Sequence, residues 1–86
     1  MNFPACFRYP NHKTWIRIHS FDRFEEIVLI GKKYEHIEIR AEQYPEKLKI
    51  KDMLANENGW LEEVNESEFI NFLEEIKKSH SLLGSV

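Results

Sequence analysis

The side chains best suited to bind a soft metal ion in this sequence are four histidines and a single cysteine, namely Cys6, His12, His19, His36 and His80. None of them is spaced as Cys-x-x-Cys or as His-x-x-x-His, the spacings that bring two ligands to one metal ion. A structural zinc site needs four converging ligands. Because these residues are scattered along the chain, we expect neither a metal site nor a bound cofactor.

Two arrangements of side chains could support catalysis. The predicted strand register places Cys6 opposite Arg17, and a neighbouring guanidinium favours the thiolate form that acts as a nucleophile. His19 and Glu26 would lie on neighbouring strands, where they could act as a base and the group that orients it. Both arrangements need a cleft, and a small sheet with two helices offers little concavity. We therefore expect a protein that is not an enzyme and infer no small-molecule substrate. A small enzyme that uses His19 and Glu26 is the less favoured alternative.

Aromatic and charged side chains are predicted to share one face of a sheet. These residues are Arg8, Trp15, Arg17, His19, Glu26, Tyr34, His36, Glu38 and Arg40. Trp, Tyr and Arg are enriched where proteins contact each other, and aromatic rings beside cations also stack on single-stranded nucleic acid. Glu26 and Glu38 would repel phosphates, and the net charge of −3 lacks the basic excess of a nucleic-acid binder. We expect these residues to bind a protein partner, including a second copy in a homodimer. Single-stranded nucleic-acid binding on the same face is the alternative.

The first half of the chain alternates between apolar and polar residues, which is typical of β-strands. Strands are predicted around residues 3–7, 14–19, 24–30 and 34–41. The stretch YEHIEIR, residues 34–40, alternates most cleanly. Short connections between these segments indicate a four-stranded antiparallel meander.

The phase of the apolar residues predicts a strand register. Pairing Phe7 with Ile16, Ile16 with Leu29 and Leu29 with Ile37 keeps one continuous apolar face. On the opposite face this register makes three rows: Trp15 with Ile30 and His36, Arg17 with Val28 and Glu38, and His19 with Glu26 and Arg40. Arg8 would lie beside Trp15. Opposite charges meet within these rows, which stabilises neighbouring strands.

The second half of the chain changes to helical spacing. Pro45 suits the first turn of a helix that should end at Asn58-Gly59, although the alternation in KLKIK leaves a strand as the alternative. A short extended segment is predicted over Trp60–Val64. Asn65 followed by Glu68 predicts a capping box that opens a C-terminal helix running to about residues 79–82.

The predicted order of elements is therefore β-β-β-β-α-β-α, in one α+β domain spanning residues 1–86 with both helices packed on one sheet face. The longest apolar run, Ile27–Ile30, is too short to span a membrane, and the N-terminal residues do not resemble a signal peptide. A single cysteine suits a reducing compartment, so we expect the protein in the cytoplasm. The predicted function is that of a small soluble protein-binding domain.

Overall fold

The computed structural model describes residues 3–82, which form a mixed six-stranded sheet and two helices. In chain order these elements are β1 (Ala5–Arg8), β2 (Thr14–Ser20), β3 (Arg23–Ile30), β4 (Lys33–Arg40), α1 (Tyr44–Ala55), β5 (Glu62–Val64), α2 (Glu66–Ser79) and β6 (Ser81–Leu82). The predicted α+β class and the order β-β-β-β-α-β-α are confirmed. The two-residue strand β6 follows the second helix and was not predicted.

Strands β1 to β4 form the predicted antiparallel meander at the centre of the sheet. The strand order is β5-β1-β2-β3-β4-β6, so that two short strands from the second half of the chain flank the meander. β5 pairs with β1 in the antiparallel sense, and β6 pairs with β4 in the parallel sense. The second half of the chain therefore completes the sheet on both sides.

The register of β3 differs from the prediction. Phe7 pairs with Ile16 as predicted, but Glu26 rather than Leu29 lies between Ile16 and Ile37. The shift is three positions, and an odd shift turns every side chain of a strand to the other face of its sheet. Because the shift is the same on both sides of β3, strands β2 and β4 keep the predicted relation to each other.

A tight turn explains this register. Ile30 pairs with Lys33, so only Gly31 and Lys32 connect β3 to β4. Gly31 adopts a φ of 61°, and a two-residue hairpin turn commonly needs such a left-handed residue. A second two-residue connection, next to an irregularity in the ladder, joins β2 to β3. Turn geometry thus sets the phase of β3, whose continuous apolar run fits either face.

The two helices lie on opposite faces of the sheet, so the prediction that both pack on one face is wrong. One core cluster joins α1 to the sheet and contains Phe7, Ile16, Ile18, Phe24, Ala41, Ile50, Met53 and Leu61. The other joins α2 to the sheet and contains Cys6, Trp15, Ile27, Tyr34, Val64, Phe69 and Ile76. Consecutive strand residues point to opposite faces, so β1, β2 and β3 contribute to both clusters. Strand β5 lies at the edge of the sheet, and in the chain it comes between the two helices. The chain therefore passes around that edge from one face of the sheet to the other.

The start of α2 agrees with the predicted capping signal. The side chain of Asn65 accepts a hydrogen bond from the backbone N–H of Glu68 at 2.8 Å and another from the Ser67 hydroxyl at 2.6 Å. The first of these bonds occupies a backbone N–H that the first turn of a helix otherwise leaves unpaired. The helix boundary is therefore determined locally.

Helix α1 confirms the predicted helix after Tyr44 over the alternative of a strand, but it ends at Ala55, before the predicted end at Asn58-Gly59. Pro45 lies in its first turn, and Asn56 ends it in the left-handed conformation with a φ of 44°. Neither helix within residues 3–82 has the length and apolar character needed to cross a membrane.

Candidate functional site

The centre of the predicted binding face is covered by α2. Trp15 is only 6% exposed, and its ring stacks on Phe72 with a centroid distance of 4.2 Å and an interplanar angle of 12°. The indole N–H donates to the backbone oxygen of His12 at 3.1 Å, and Tyr34 is also buried. The prediction that this face is open to a protein or to single-stranded nucleic acid is therefore wrong around Trp15 and Tyr34. The cause is the position of α2, which covers apolar side chains that the prediction left uncovered.

Arg8 lies beside Trp15, as predicted. Its guanidinium carbon is 5.3 Å from the centre of the Trp15 ring, and its Nε donates to Glu62 of β5 at 2.6 Å. This hydrogen bond from Arg8 and the nearby His12 lower the pKa of the Glu62 carboxyl below its ordinary value. Arg8 therefore ties β5 to β1 and lies over the indole ring.

All the other predicted face residues except Glu26 share the side of the sheet that bears Trp15. Glu26 pairs with Ile16 and Ile37 on the α1 side, so the predicted row of His19, Glu26 and Arg40 does not exist. The glutamate that contacts His19 is Glu25, which pairs with Arg17 and Glu38. Glu25, the residue next to Glu26, was not predicted as a face residue because the phase of β3 decides which of the two glutamates lies on the side of Trp15.

Glu25 is the centre of a polar cluster with Arg17, His19 and His36, which we call the Glu25 cluster. The residue is 2% exposed, and Arg17 Nε donates to its Oε1. His19 Nε2 lies 2.7 Å from the same oxygen, and His36 Nε2 lies 2.6 Å from Oε2. An ionised carboxylate only accepts hydrogen bonds, so both imidazoles must carry a proton on Nε2. One buried carboxylate thus fixes three side chains from two neighbouring strands.

The electrostatics of the Glu25 cluster favour the ionised carboxylate. Burial acts to raise the pKa of Glu25, but the hydrogen bonds from Arg17, His36 and His19 outweigh burial and hold that pKa below its ordinary value. Arg17 also donates to Glu66 of α2 at 3.0 Å. The cluster is therefore a charged link between the sheet and the start of α2.

Arg17 does not activate Cys6, although the two residues pair across β1 and β2 as predicted. Burial raises the pKa of the Cys6 thiol to about 11, which outweighs the opposing effect of the Arg17 charge. The expectation that Arg17 favours a thiolate is wrong because Cys6 lies under α2 in an apolar cluster.

The Glu25 cluster orients two partly exposed imidazoles, and a carboxylate that orients histidine is a common support for proton transfer. Within residues 3–82, no group of three or more His, Cys, Asp or Glu side chains is arranged to hold a metal ion. The hydrogen bonds described above account for both oxygens of Glu25. The clearest role of the cluster in this geometry is to position its neighbours.

An apolar groove lies on the other side of the sheet, between α1 and the segment that leads into β5; we call it the α1–β5 groove. Its volume is about 390 Å³. The buried side chains that line it are Ile16, Met53 and Leu61, and its exposed apolar side chains are Pro45, Leu48 and Trp60. A groove of this size with a mostly apolar lining falls within the range of ligand-binding clefts, the range known from small-molecule sites.

The wall of the groove that carries Trp60 is held by specific contacts. The ring of Tyr9 meets the Trp60 ring edge-on, with a centroid distance of 4.7 Å. Asn56 Nδ2 donates to the backbone oxygen of Leu61 at 2.8 Å, and its Oδ1 accepts from the Leu61 N–H at 3.1 Å. These bonds close the loop that carries Trp60, which is 55% exposed. Sequence reasoning placed Trp60 in a short extended segment and gave no signal for the groove, because Tyr9 is distant in sequence.

Comparisons of this chain with protein-family models, with curated proteins and with solved structures found no match.

Proposed function

We propose that this chain is a small protein-binding domain and that its main contact surface is the α1–β5 groove. The observation that carries the proposal is Trp60, a tryptophan held more than half exposed beside an apolar groove. Tryptophan and tyrosine are the residues that most often dominate the binding energy of protein contacts. Leaving them in water forgoes about 25 cal/mol for each Å² of apolar surface that a partner could cover.

The lining of the groove indicates the chemistry of the partner. Its charged residues are Lys49, Asp52 and Glu57. The Lys49 ammonium lies 5.5 Å from the centre of the Phe24 ring, a cation–π contact that positions the ammonium but leaves its charge in place. Two carboxylates, Asp52 and Glu57, against this one ammonium still give the lining of the groove a net negative charge. We infer that the occupant is a segment of another protein that presents an apolar side chain next to a lysine or arginine.

This surface replaces the predicted contact face around Trp15, where α2 already covers the aromatic side chains. The same cover argues against a stacking platform for single-stranded nucleic acid at Trp15. The domain acts by binding and not by catalysis in this proposal. The single free cysteine, Cys6, supports a reducing compartment such as the cytoplasm as the place of binding.

Selection of a random peptide library on the full chain tests the proposal without knowledge of the partner. Selected peptides should share an apolar residue next to a basic one. Their affinities would then be measured by calorimetry for wild type and for Trp60→Ala. Loss of such an anchor should weaken binding by about 30-fold, corresponding to about 2 kcal/mol. Phe21→Ala is the matched control, because Phe21 is 58% exposed but lies in the β2–β3 turn, outside the groove.

Peptides that bind the Trp60→Ala protein as tightly as wild type would contradict the proposal. Light scattering tests whether the occupant of the groove is a second copy of the chain. A wild-type dimer that becomes a monomer in Trp60→Ala would identify the occupant as the protein itself and would overturn the inference of a foreign segment. Asp52→Asn should reduce the affinity for basic peptides and their sensitivity to salt, because it removes the net negative charge of the lining.

A further inference from the structure

Two arginines face each other at one end of the sheet. Arg23 of β3 pairs directly with Arg40 of β4. Like charges at directly opposed positions destabilise a sheet. The ion pairs formed within residues 3–82 include neither arginine. This end of the sheet, which we call the Arg23–Arg40 corner, therefore carries two guanidinium groups that form no ion pair within the described part of the fold.

The corner contains a concavity of about 190 Å³, which both arginines line together with His19 and Glu38. His19 is fixed at this wall because its Nε2 is committed to the buried carboxylate of Glu25 at 2.7 Å. The Glu25 cluster thus extends to the concavity and holds His19 in place in its wall.

The nearest turn carboxylate is already engaged. Asp22 Oδ1 accepts a hydrogen bond from the Ser20 hydroxyl at 2.6 Å. That bond, and then the charges of Arg40 and Arg23, lower the pKa of Asp22 below its ordinary value. Asp22 therefore lies in the positive field of the corner without closing an ion pair to either arginine among residues 3–82.

We propose that the Arg23–Arg40 corner binds a small oxyanion, a phosphate or a carboxylate, that also carries a hydroxyl group. Two guanidinium groups offer the planar pairs of N–H donors that match the oxygens of such an anion. Glu38 is the acidic side chain of the described lining, and an ionised carboxylate can only accept hydrogen bonds. Glu38 is exposed and repels any anion in the concavity, but a ligand hydroxyl that donates to its carboxylate offsets part of that repulsion, whereas an anion without a hydroxyl meets the repulsion in full. This site is separate from the α1–β5 groove.

Two pairs of small probes test the proposal by NMR titration of the full chain at constant ionic strength. Inorganic phosphate, which retains a hydroxyl, is compared with sulfate, and glycolate is compared with acetate. Saturable binding of phosphate or glycolate is expected, with weaker binding of the partner that lacks the hydroxyl. The tighter of the two hydroxyl-bearing probes identifies the ligand as phosphate or carboxylate. Glu38→Gln should reduce the difference within each pair.

Arg23→Gln and Arg40→Gln should each weaken binding at least about tenfold, because each removes charge-assisted hydrogen bonds. Lys32→Gln is the matched control, since it removes one positive charge from the turn at the opposite end of the same two strands. The arginine variants should also melt at a higher temperature than wild type, because each relieves a repulsion. A purely structural role for either arginine predicts the opposite change in melting temperature.

Titrations that never saturate would overturn the site. An equal loss of affinity in the arginine variants and in Lys32→Gln would also overturn it. Equal binding of both members of each probe pair by wild type would overturn the requirement for a hydroxyl group.

Discussion

Replacing Glu25 by glutamine tests whether the Glu25 cluster stabilises the fold, and Glu26→Gln is its matched control. The two glutamates are neighbours on β3, but they point to opposite faces. Glu25 is buried with three hydrogen-bond donors, whereas Glu26 forms no ion pair within residues 3–82. In the register predicted from sequence, Glu26 is the partner of His19. Comparing the two variants therefore also tests the phase of β3.

The magnitude follows from the hydrogen bonds that Glu25 accepts. Glutamine keeps the shape of the side chain and one carbonyl oxygen, but its amide nitrogen donates and cannot accept. At least one donor among Arg17, His19 and His36 loses its acceptor, and the others bond to a neutral oxygen. A hydrogen bond to a charged group contributes about 1.5–3 kcal/mol, against about 0.5–1.5 kcal/mol for a neutral pair. Because the three donors are partly exposed and can turn to water, we expect a loss of about 2–4 kcal/mol in the free energy of unfolding.

Urea unfolding at neutral pH, followed by far-ultraviolet circular dichroism, measures both variants. Glu26→Gln should change the free energy of unfolding by no more than about 0.5 kcal/mol, as for most surface substitutions. In thermal unfolding, Glu25→Gln should lower the melting temperature by at least about 8 °C, at roughly 4–8 °C for each kcal/mol in a domain of this size.

The pH dependence has a definite sign. The pKa of Glu25 is lowered in the folded state from its ordinary value of 4.5, so its contribution to stability is fully present above that value. The contribution is lost as the pH falls through the lowered pKa, and the difference between wild type and Glu25→Gln should disappear there. Equal losses for the two variants would refute the stabilising role of the Glu25 cluster, and a larger loss for Glu26→Gln would in addition restore the register predicted from sequence.

Three further outcomes are expected. Trp15→Ala should cost about 3–5 kcal/mol because the buried indole stacks on Phe72, and an unchanged melting temperature would contradict the packing of α2 on this face. Asn65→Ala should cost about 1 kcal/mol by removing the helix cap, measured by urea unfolding against the exposed Asn71→Ala on the same helix. Cys6 should resist iodoacetamide at mildly alkaline pH until the protein is unfolded, because burial raises its pKa to about 11; rapid labelling of the native protein, detected by mass spectrometry, would contradict that burial.

The parts of the fold that sequence predicts are those that local chemistry determines. The start of α2 follows from Asn65, whose side chain caps the backbone N–H of Glu68 within one helical turn. The pairing of β1 with β2 follows from the alternation of apolar and polar residues in these strands, which gives the pair one continuous apolar face. The apolar run of β3, by contrast, fits either face, so only the tight turn at Gly31 decides its phase. The phase of β3 decides whether Glu25 or Glu26 lies on the face of Trp15, and it thereby decides the composition of the polar cluster.

The coverage of each face could not be predicted, because it depends on contacts between distant parts of the chain. The position of β5 beside β1 brings α2 over Trp15 and sets Trp60 against Tyr9. Neither contact has a signature in the local spacing of residues. Sequence reasoning therefore identified Trp15 as important and assigned it to the wrong environment, and it did not find the groove.

The strand order also has a consequence for how the protein folds during synthesis. The four strands of the meander leave the ribosome first, and β5, α2 and β6 follow. Until α2 arrives, Trp15, Ile27 and Tyr34 form an apolar surface on a sheet whose edges are still unpaired. Such surfaces and edges promote aggregation. Substitutions that slow the docking of α2 should therefore reduce the yield of folded protein by more than their effect on equilibrium stability, because they prolong the exposure of the meander.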